Sequence, residues 1–103
     1  MAESPQKIAE GNALTAQQKK DLLNRLARIE GQLRGVQKLV ALAAEPADVD
    51  AVAQQMAAAR KALDRSFVQL LAGALQTQTN NAADVEDAKL RAAHLAAMLD
   101  KFA

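Results

Sequence analysis

The stretch Leu23–Val40, "LNRLARIEGQLRGVQKLV", decides how this chain folds. Its apolar residues belong to a series that alternates between spacings of three and four: Leu22, Leu26, Ile29, Leu33, Val36 and Val40. This heptad pattern predicts a helix with a single apolar seam. Four cationic side chains lie in the same stretch, in a chain whose formal net charge is only +1. The sequence therefore predicts an amphipathic helix that carries a local excess of positive charge.

The start of this first helix and the break after it can be read from the flanking residues. Thr15 and Gln18 form a capping-box pattern, which predicts a helix over about residues 16–44. Pro46 cannot continue that helix, and Asp48 is expected to cap a second one.

Two more helices complete the predicted fold. The second is expected over residues 48–76 and the polar run "QTQTNN", Gln76–Asn81, is expected to stop it. A third is expected over residues 82–102, where apolar residues recur at spacings of three and four. No segment shows the alternation of a strand, so the predicted fold class is all-α, with a three-helix protomer.

The composition bears on domain organisation. A length of 103 residues suggests one domain, expected over residues 15–103. Residues 1–14 mix proline, glycine, serine and charges, and are expected to form a flexible arm. Half of the residues are hydrophobic but only two are aromatic, and many are alanine, so the core is expected to be thin. A second copy of the chain would cover the apolar seam that one copy leaves exposed.

Several classes of function find no support in the sequence. Cysteine is absent, which excludes disulfides, thiolate metal ligands and thiol nucleophiles. No nucleophile–base pair or glycine-rich phosphate loop is visible, so we predict neither an enzyme nor a cofactor. The sole histidine, His94, lies off the third helix's seam and is expected to be a surface residue. No apolar leader or membrane span is visible, so a cytoplasmic protein with no membrane partner is expected.

The positive charge is concentrated on the first helix. Residues 15–44 contain six basic and two acidic residues, so this helix carries the whole basic excess of the chain. At about 100° per residue, Arg25 and Arg28 lie along one edge of the apolar seam, whereas Arg34 and Lys38 lie on the back. Two interpretations stay open on this evidence. The charges form either an ordinary solvated helix face or the footprint of a phosphate-binding surface.

Two linked blocks of sequence resemble a known family. The block "LLNRLARIEGQLRGVQKLV", followed by "VDAVAQQMAAARKAL", is similar to the CsoR/RcnR/FrmR family of bacterial transcriptional repressors. The likeness covers roughly residues 15–79. It implies an all-helical protomer, an antiparallel dimer, a tetramer built as a dimer of dimers, and operator binding without a helix-turn-helix.

The resemblance also implies a DNA-binding surface on the first two helices. The matching residues are Arg25, Arg28, Arg34 and Arg60, with further phosphate contacts expected from Lys19, Lys20, Lys38, Lys61 and Arg65. An arginine can bind a phosphate or a guanine edge with two hydrogen bonds, whereas a lysine acts mainly as a point charge. For Arg34 and Lys38, a solvated back face is the alternative. Arg60 has a different alternative, which is to lie over the dimer seam.

The sensor site of the resembled family is where this sequence departs from it. The resemblance places the sensor positions at Val49, Ala74 and Gln78, with Val49 of one chain expected to face Ala74 of its partner. Valine and alanine have no donor atom for copper or nickel, and no thiol for formaldehyde. No metal site is therefore expected.

We predict a homo-oligomeric DNA-binding repressor, most simply a tetramer, that lacks the usual sensor site. Three possibilities for its control stay open: it acts constitutively, it responds to another small molecule, or it mixes with a sensing paralogue. The alternative function is a helical scaffold that has lost DNA binding and acts as a protein-interaction module.

Overall fold

A computed structural model describes residues 7–103, which form three α-helices. These are α1 (Ala16–Leu42), α2 (Asp48–Asn80) and α3 (Val85–Phe102). The described residues contain no strand, so the predicted all-α class and the order of three helices are confirmed. Among residues 7–103, no helix is both long and apolar enough to cross a membrane.

The chain divides into two compact units. One unit comprises Leu22–Gln69, and the other combines Leu70–Ala103 with the residues up to Asp21. Both α1 and α2 contribute residues to each unit, because the division falls within these two helices. The single domain expected over residues 15–103 stays a prediction.

The start of α1 has the capping box that the sequence predicts. The backbone N–H of Gln18 donates to the Thr15 hydroxyl oxygen at 3.0 Å, and the backbone N–H of Thr15 donates to the Gln18 side-chain oxygen at 2.7 Å. These two bonds occupy donors that would otherwise have no partner at a helix start. The structure therefore confirms helix initiation at Ala16.

The corner between α1 and α2 differs from the prediction. α1 ends at Leu42 rather than Ala44, because the Asp48 carboxylate accepts the backbone N–H groups of Ala44 and Glu45, both at 3.0 Å. Asp48 was expected to cap the helix that follows it. Instead it is the first residue of α2, and its carboxylate binds the residues before the helix.

The polar run at the end of α2 continues the helix, so the expected stop at residue 76 was wrong. α2 extends to Asn80, and its polar side chains find partners along the way. The Thr79 hydroxyl donates to the Leu75 carbonyl at 2.6 Å, and the Asn81 side-chain amide donates to the Thr77 carbonyl at 2.7 Å. Serine, threonine and asparagine side chains are tolerated near a helix end when they form such hydrogen bonds to backbone carbonyls.

α3 begins at Val85, three residues later than the sequence predicts, because Asp84 takes the N-cap position. The Asp84 carboxylate accepts the backbone N–H of Asp87 at 2.8 Å, and the Asp87 carboxylate accepts the backbone N–H of Ala83 at 2.9 Å. The hydrogen bond from the Ala83 N–H is the main cause that holds the pKa of the Asp87 carboxyl below its usual value, and the hydrogen bond from Arg91 is the second. The two carboxylates thus cap α3 reciprocally, since each favours the positive end of the helix dipole.

The core of the Leu22–Gln69 unit is thin. Ile29 and Val36, seven residues apart on α1, are buried, as are the small residues Ala59 and Ser66 on α2. The Ser66 hydroxyl donates to the Ala62 carbonyl of its own helix at 3.1 Å, which satisfies it within the core. Alanine and serine add little volume, so few large side chains are removed from water.

A row of apolar residues on α2 stays exposed. We call this row the α2 stripe: Val49, Met56, Leu63 and Leu70, each seven residues from the next, with exposed fractions of 60, 51, 51 and 38%. Leu33 and Val40 of α1 are also seven residues apart and about half exposed. Apolar residues at a heptad spacing are typical of a helix that packs against another helix.

Candidate nucleic-acid interface

The basic residues of the Leu22–Gln69 unit are all exposed. We call these seven side chains the basic surface: Arg25, Arg28, Arg34 and Lys38 on α1, and Arg60, Lys61 and Arg65 on α2. Lys20, in the first turns of α1, is exposed as well, and Lys19 is half-buried. The predicted residues are therefore accessible to a large ligand.

None of these nine cations takes part in an ion pair within residues 7–103. The two ion pairs of that part of the chain lie on α3 and join Lys89 to Glu86 and Arg91 to Asp87. Only Lys19 among the nine makes a side-chain hydrogen bond there, from its ammonium group to the Ala9 carbonyl. The charges of the basic surface are therefore not neutralised by the residues that the structure describes, which favours attraction of an external anion.

Arg34 lies over a glycine on the outer side of α1. A β-carbon built on Gly31 would be 3.8 Å from the terminal nitrogen of Arg34, whereas one built on Gly35 would meet nothing within 4 Å. Both glycines are exposed, so neither brings another part of the described chain into close approach. Arg34 therefore extends back along its own helix, as long helical side chains usually do.

The resemblance assigns the sensor site to Val49, Ala74 and Gln78, and these three residues have different environments. Val49 is 60% exposed, Ala74 is only 5% exposed and Gln78 is half-buried. Ala74 thus has almost no free surface in the single chain for a partner's Val49 to contact. Valine and alanine offer no lone pair, and residues 7–103 contain no group of three or more acidic, histidine or cysteine side chains able to hold a metal. The residues present do not fit a copper or nickel ion.

His94 is exposed on α3, as the sequence predicts. The carboxylates of Asp87 and Glu86, which precede it on the same helix, are engaged with Arg91 and Lys89 respectively. A lone imidazole does not provide the several donors that a metal site requires.

A polar pair that the sequence did not reveal lies in the other compact unit. Thr77 is only 5% exposed, and its hydroxyl donates to the Gln18 side-chain oxygen at 2.7 Å. The Gln18 side-chain amide donates in turn to the Gly73 carbonyl at 3.4 Å. Gly73 and Thr77 are four residues apart in the sequence, about one helical turn, and this spacing is the one signal of the contact that the sequence contains.

The fold and this surface define an all-helical protein with an exposed, unneutralised basic face and no donor set for a metal among its described residues. Residues 18–101 match the family model described as metal-sensitive transcriptional repressor, so the chain belongs to this family. The resemblance to the CsoR/RcnR/FrmR repressors is thereby confirmed. The family consists of transcriptional regulators rather than enzymes. No curated protein and no solved structure matches the chain significantly.

Proposed function

We propose that this protein is a transcriptional repressor that binds operator DNA through the basic surface, with further phosphate contacts from Lys19 and Lys20. One observation carries the proposal: seven exposed cationic side chains in one compact unit, none of which is paired within the described chain. Unpaired arginine and lysine bind the phosphate backbone by releasing its condensed counterions. Since DNA is in the cytoplasm of a bacterium, the repressor acts there.

The proposed assembly is a homo-oligomer, with a tetramer as the expected form. The α2 stripe and the exposed Leu33 and Val40 support it, because a second copy would remove these apolar side chains from water. An oligomer also repeats the basic surface, and several copies together contact more phosphates than one. The antiparallel arrangement of the two α2 helices is part of this proposal.

The proposed repressor does not release DNA in response to copper, nickel or formaldehyde. Val49 and Ala74 support this, because neither has an atom that coordinates a metal or attacks an aldehyde. The family's metal response therefore has no counterpart in these residues. The repressor then acts constitutively, responds to a different small molecule, or depends on a sensing paralogue in a mixed oligomer.

Titration of the protein with genomic DNA fragments at two salt concentrations tests the proposed function. Binding through the basic surface predicts that log affinity falls steeply with log salt, by about 0.9 for each phosphate contacted. A fragment that retains more protein than its competitors at the higher salt would identify an operator. No binding at the lower salt would overturn the proposal in favour of a helical scaffold that does not bind DNA.

A further inference from the structure

The Gln18 side chain makes two bonds to successive turns of α2. Its oxygen accepts the Thr77 hydroxyl at 2.7 Å, and its amide nitrogen donates to the Gly73 carbonyl at 3.4 Å. Both bonds link residues more than 50 positions apart in the sequence. They therefore attach the first turn of α1 to the carboxyl-terminal part of α2, within a single compact unit.

The same oxygen also closes the capping box, which makes the contact more than a surface hydrogen bond. It accepts the backbone N–H of Thr15 at 2.7 Å while it accepts the hydroxyl of Thr77. Helix ends ordinarily fray, because the first turn has few partners. Here the group that caps α1 is itself held by a residue that is only 5% exposed, so the orientation of the cap depends on Thr77.

Gly73 provides the space for this arrangement. A β-carbon built there would be 3.4 Å from a methyl group of Leu14 and 3.5 Å from the side-chain carbon and nitrogen of Gln18. The glutamine amide therefore lies directly against the backbone of α2, next to Leu14. Lys19, the next residue, holds the Ala9 carbonyl, so the segment before α1 is attached at the same place.

We propose that Gln18 and Thr77 are positioning residues for the DNA contacts of Lys19 and Lys20. This inference rests on the proposed function. Lys19 and Lys20 follow Gln18 directly, in the turn that the pair anchors, and neither forms an ion pair within residues 7–103. A phosphate contact requires that the ammonium groups stay at a defined place on the surface, and an anchored first turn avoids the entropy that ordering a frayed turn on DNA would cost.

Replacement of the Thr77 hydroxyl by a methyl group of the same size tests the inference. Thr77→Val keeps the shape of the side chain but removes its donor, and Thr77→Ser restores the donor. Thr79→Val is the matched control, because within residues 7–103 the Thr79 hydroxyl bonds only to the carbonyls of Leu75 and Gln76 in its own helix. The full-length protein is used throughout, and Thr77→Ala replaces Thr77→Val should the valine variant not fold.

The first measurement is amide hydrogen exchange over residues 15–21, which needs no DNA. Thr77→Val should accelerate exchange there about 5- to 30-fold, as expected when a buried hydrogen bond is removed. Thr77→Ser and Thr79→Val should leave it close to the wild-type rate. Unchanged exchange in Thr77→Val and Thr77→Ala would overturn the inference, whether or not the protein binds DNA.

The second measurement is the affinity for genomic double-stranded DNA fragments at several salt concentrations, well below the melting temperature. Thr77→Val should bind roughly 3- to 10-fold more weakly, with a salt slope shallower by about 0.9 for each phosphate that a lysine no longer neutralises. A purely structural role would leave that slope unchanged and would overturn the inference. Failure of the wild type to bind would instead overturn the proposed function, and the positioning role with it.

Discussion

The hydroxyl of Thr77 donates a 2.7 Å hydrogen bond to the side-chain oxygen of Gln18, 59 residues earlier in the chain. This bond ties the first turn of α1 to a segment of α2 whose composition alone suggests a loop. Thr77 is one residue from Gln78 and three from Ala74, two of the positions that the resemblance assigns to the sensor site. A hydrogen-bonded polar contact therefore lies beside these two positions.

The first prediction concerns the basic surface. Arg25→Ala, Arg28→Ala or Arg60→Ala should weaken DNA binding, because each removes a phosphate contact. The slope of log affinity against log salt concentration should become shallower by roughly 0.9 for each chain that contacts the DNA. The measurement is fluorescence anisotropy with a DNA fragment at several salt concentrations. Lys89→Ala is the control, since this lysine pairs with Glu86 on α3. A triple variant that binds as tightly as the wild type would show that the DNA contacts lie elsewhere.

The second prediction concerns assembly. Light scattering at micromolar concentration should give the mass of a tetramer, and Leu63→Glu should lower it, because a carboxylate would then be buried between two copies. Val68→Glu is the matched control. Val68 is 57% exposed and Leu63 is 51% exposed, but Val68 lies about 140° around α2 from the stripe. A monomeric wild type, or an equal decrease in mass in both variants, would contradict an interface at the α2 stripe.

The third prediction concerns Val49, Ala74 and Gln78, the positions that the resemblance assigns to the sensor site. The wild type should bind no copper(I) tightly, whereas Val49→Cys with Ala74→His and Gln78→Cys should recover binding, measured by competition with a colorimetric chelator. Stability should fall, because Ala74 is only 5% exposed and a histidine overpacks its site.

A control variant carries Val68→Cys in place of Val49→Cys, since the two valines are similarly exposed. Equal copper affinity in both triple variants would mean that position 49 does not face the other two positions in the assembly. Tight binding by the wild type would mean that the protein has a metal site outside these residues.

The fourth prediction concerns pH. The pKa of Asp87 is lowered by the Ala83 backbone N–H and then by Arg91, and the pKa of Asp48 is lowered by the backbone N–H groups of Ala44 and Glu45. A carboxyl whose pKa is lowered in the folded state stabilises the fold at pH values above the pKa of the unfolded chain, here 3.8. This stabilisation is lost as the pH falls through the lower pKa of the folded state. The melting temperature should therefore fall on acidification below about pH 4.

Asp87→Asn keeps a hydrogen-bond acceptor but cannot titrate, so its melting temperature should depend less on pH over the same range. Asp100→Asn is the control. Asp100 is exposed on the same helix, and its carboxylate makes no hydrogen bond or ion pair within residues 7–103. If acidification lowers the melting temperature equally in Asp87→Asn, Asp100→Asn and the wild type, the α3 cap is excluded as a source of the acid sensitivity.

The sequence by itself determined the fold class and most of the candidate site. Heptad spacing predicts helices without knowledge of their neighbours, because burying one face of a helix requires apolar residues every three to four positions. The family blocks and the charge count identified the basic residues, since surface charges need no tertiary contact to be recognised. That Val49 and Ala74 carry no metal-binding donor atom also follows from sequence alone, because side-chain donor atoms are a property of residue type.

Only the tertiary structure decided where helices end and which seam residues are buried. α2 runs through its polar segment because Thr77 finds a partner in Gln18, and no local propensity contains that information. Ile29 and Val36 are buried whereas Val49, Met56 and Leu63 are not, although all five fit the same heptad spacing. Periodicity defines a face of a helix, but the surface that covers the face comes from the rest of the chain or from a second copy.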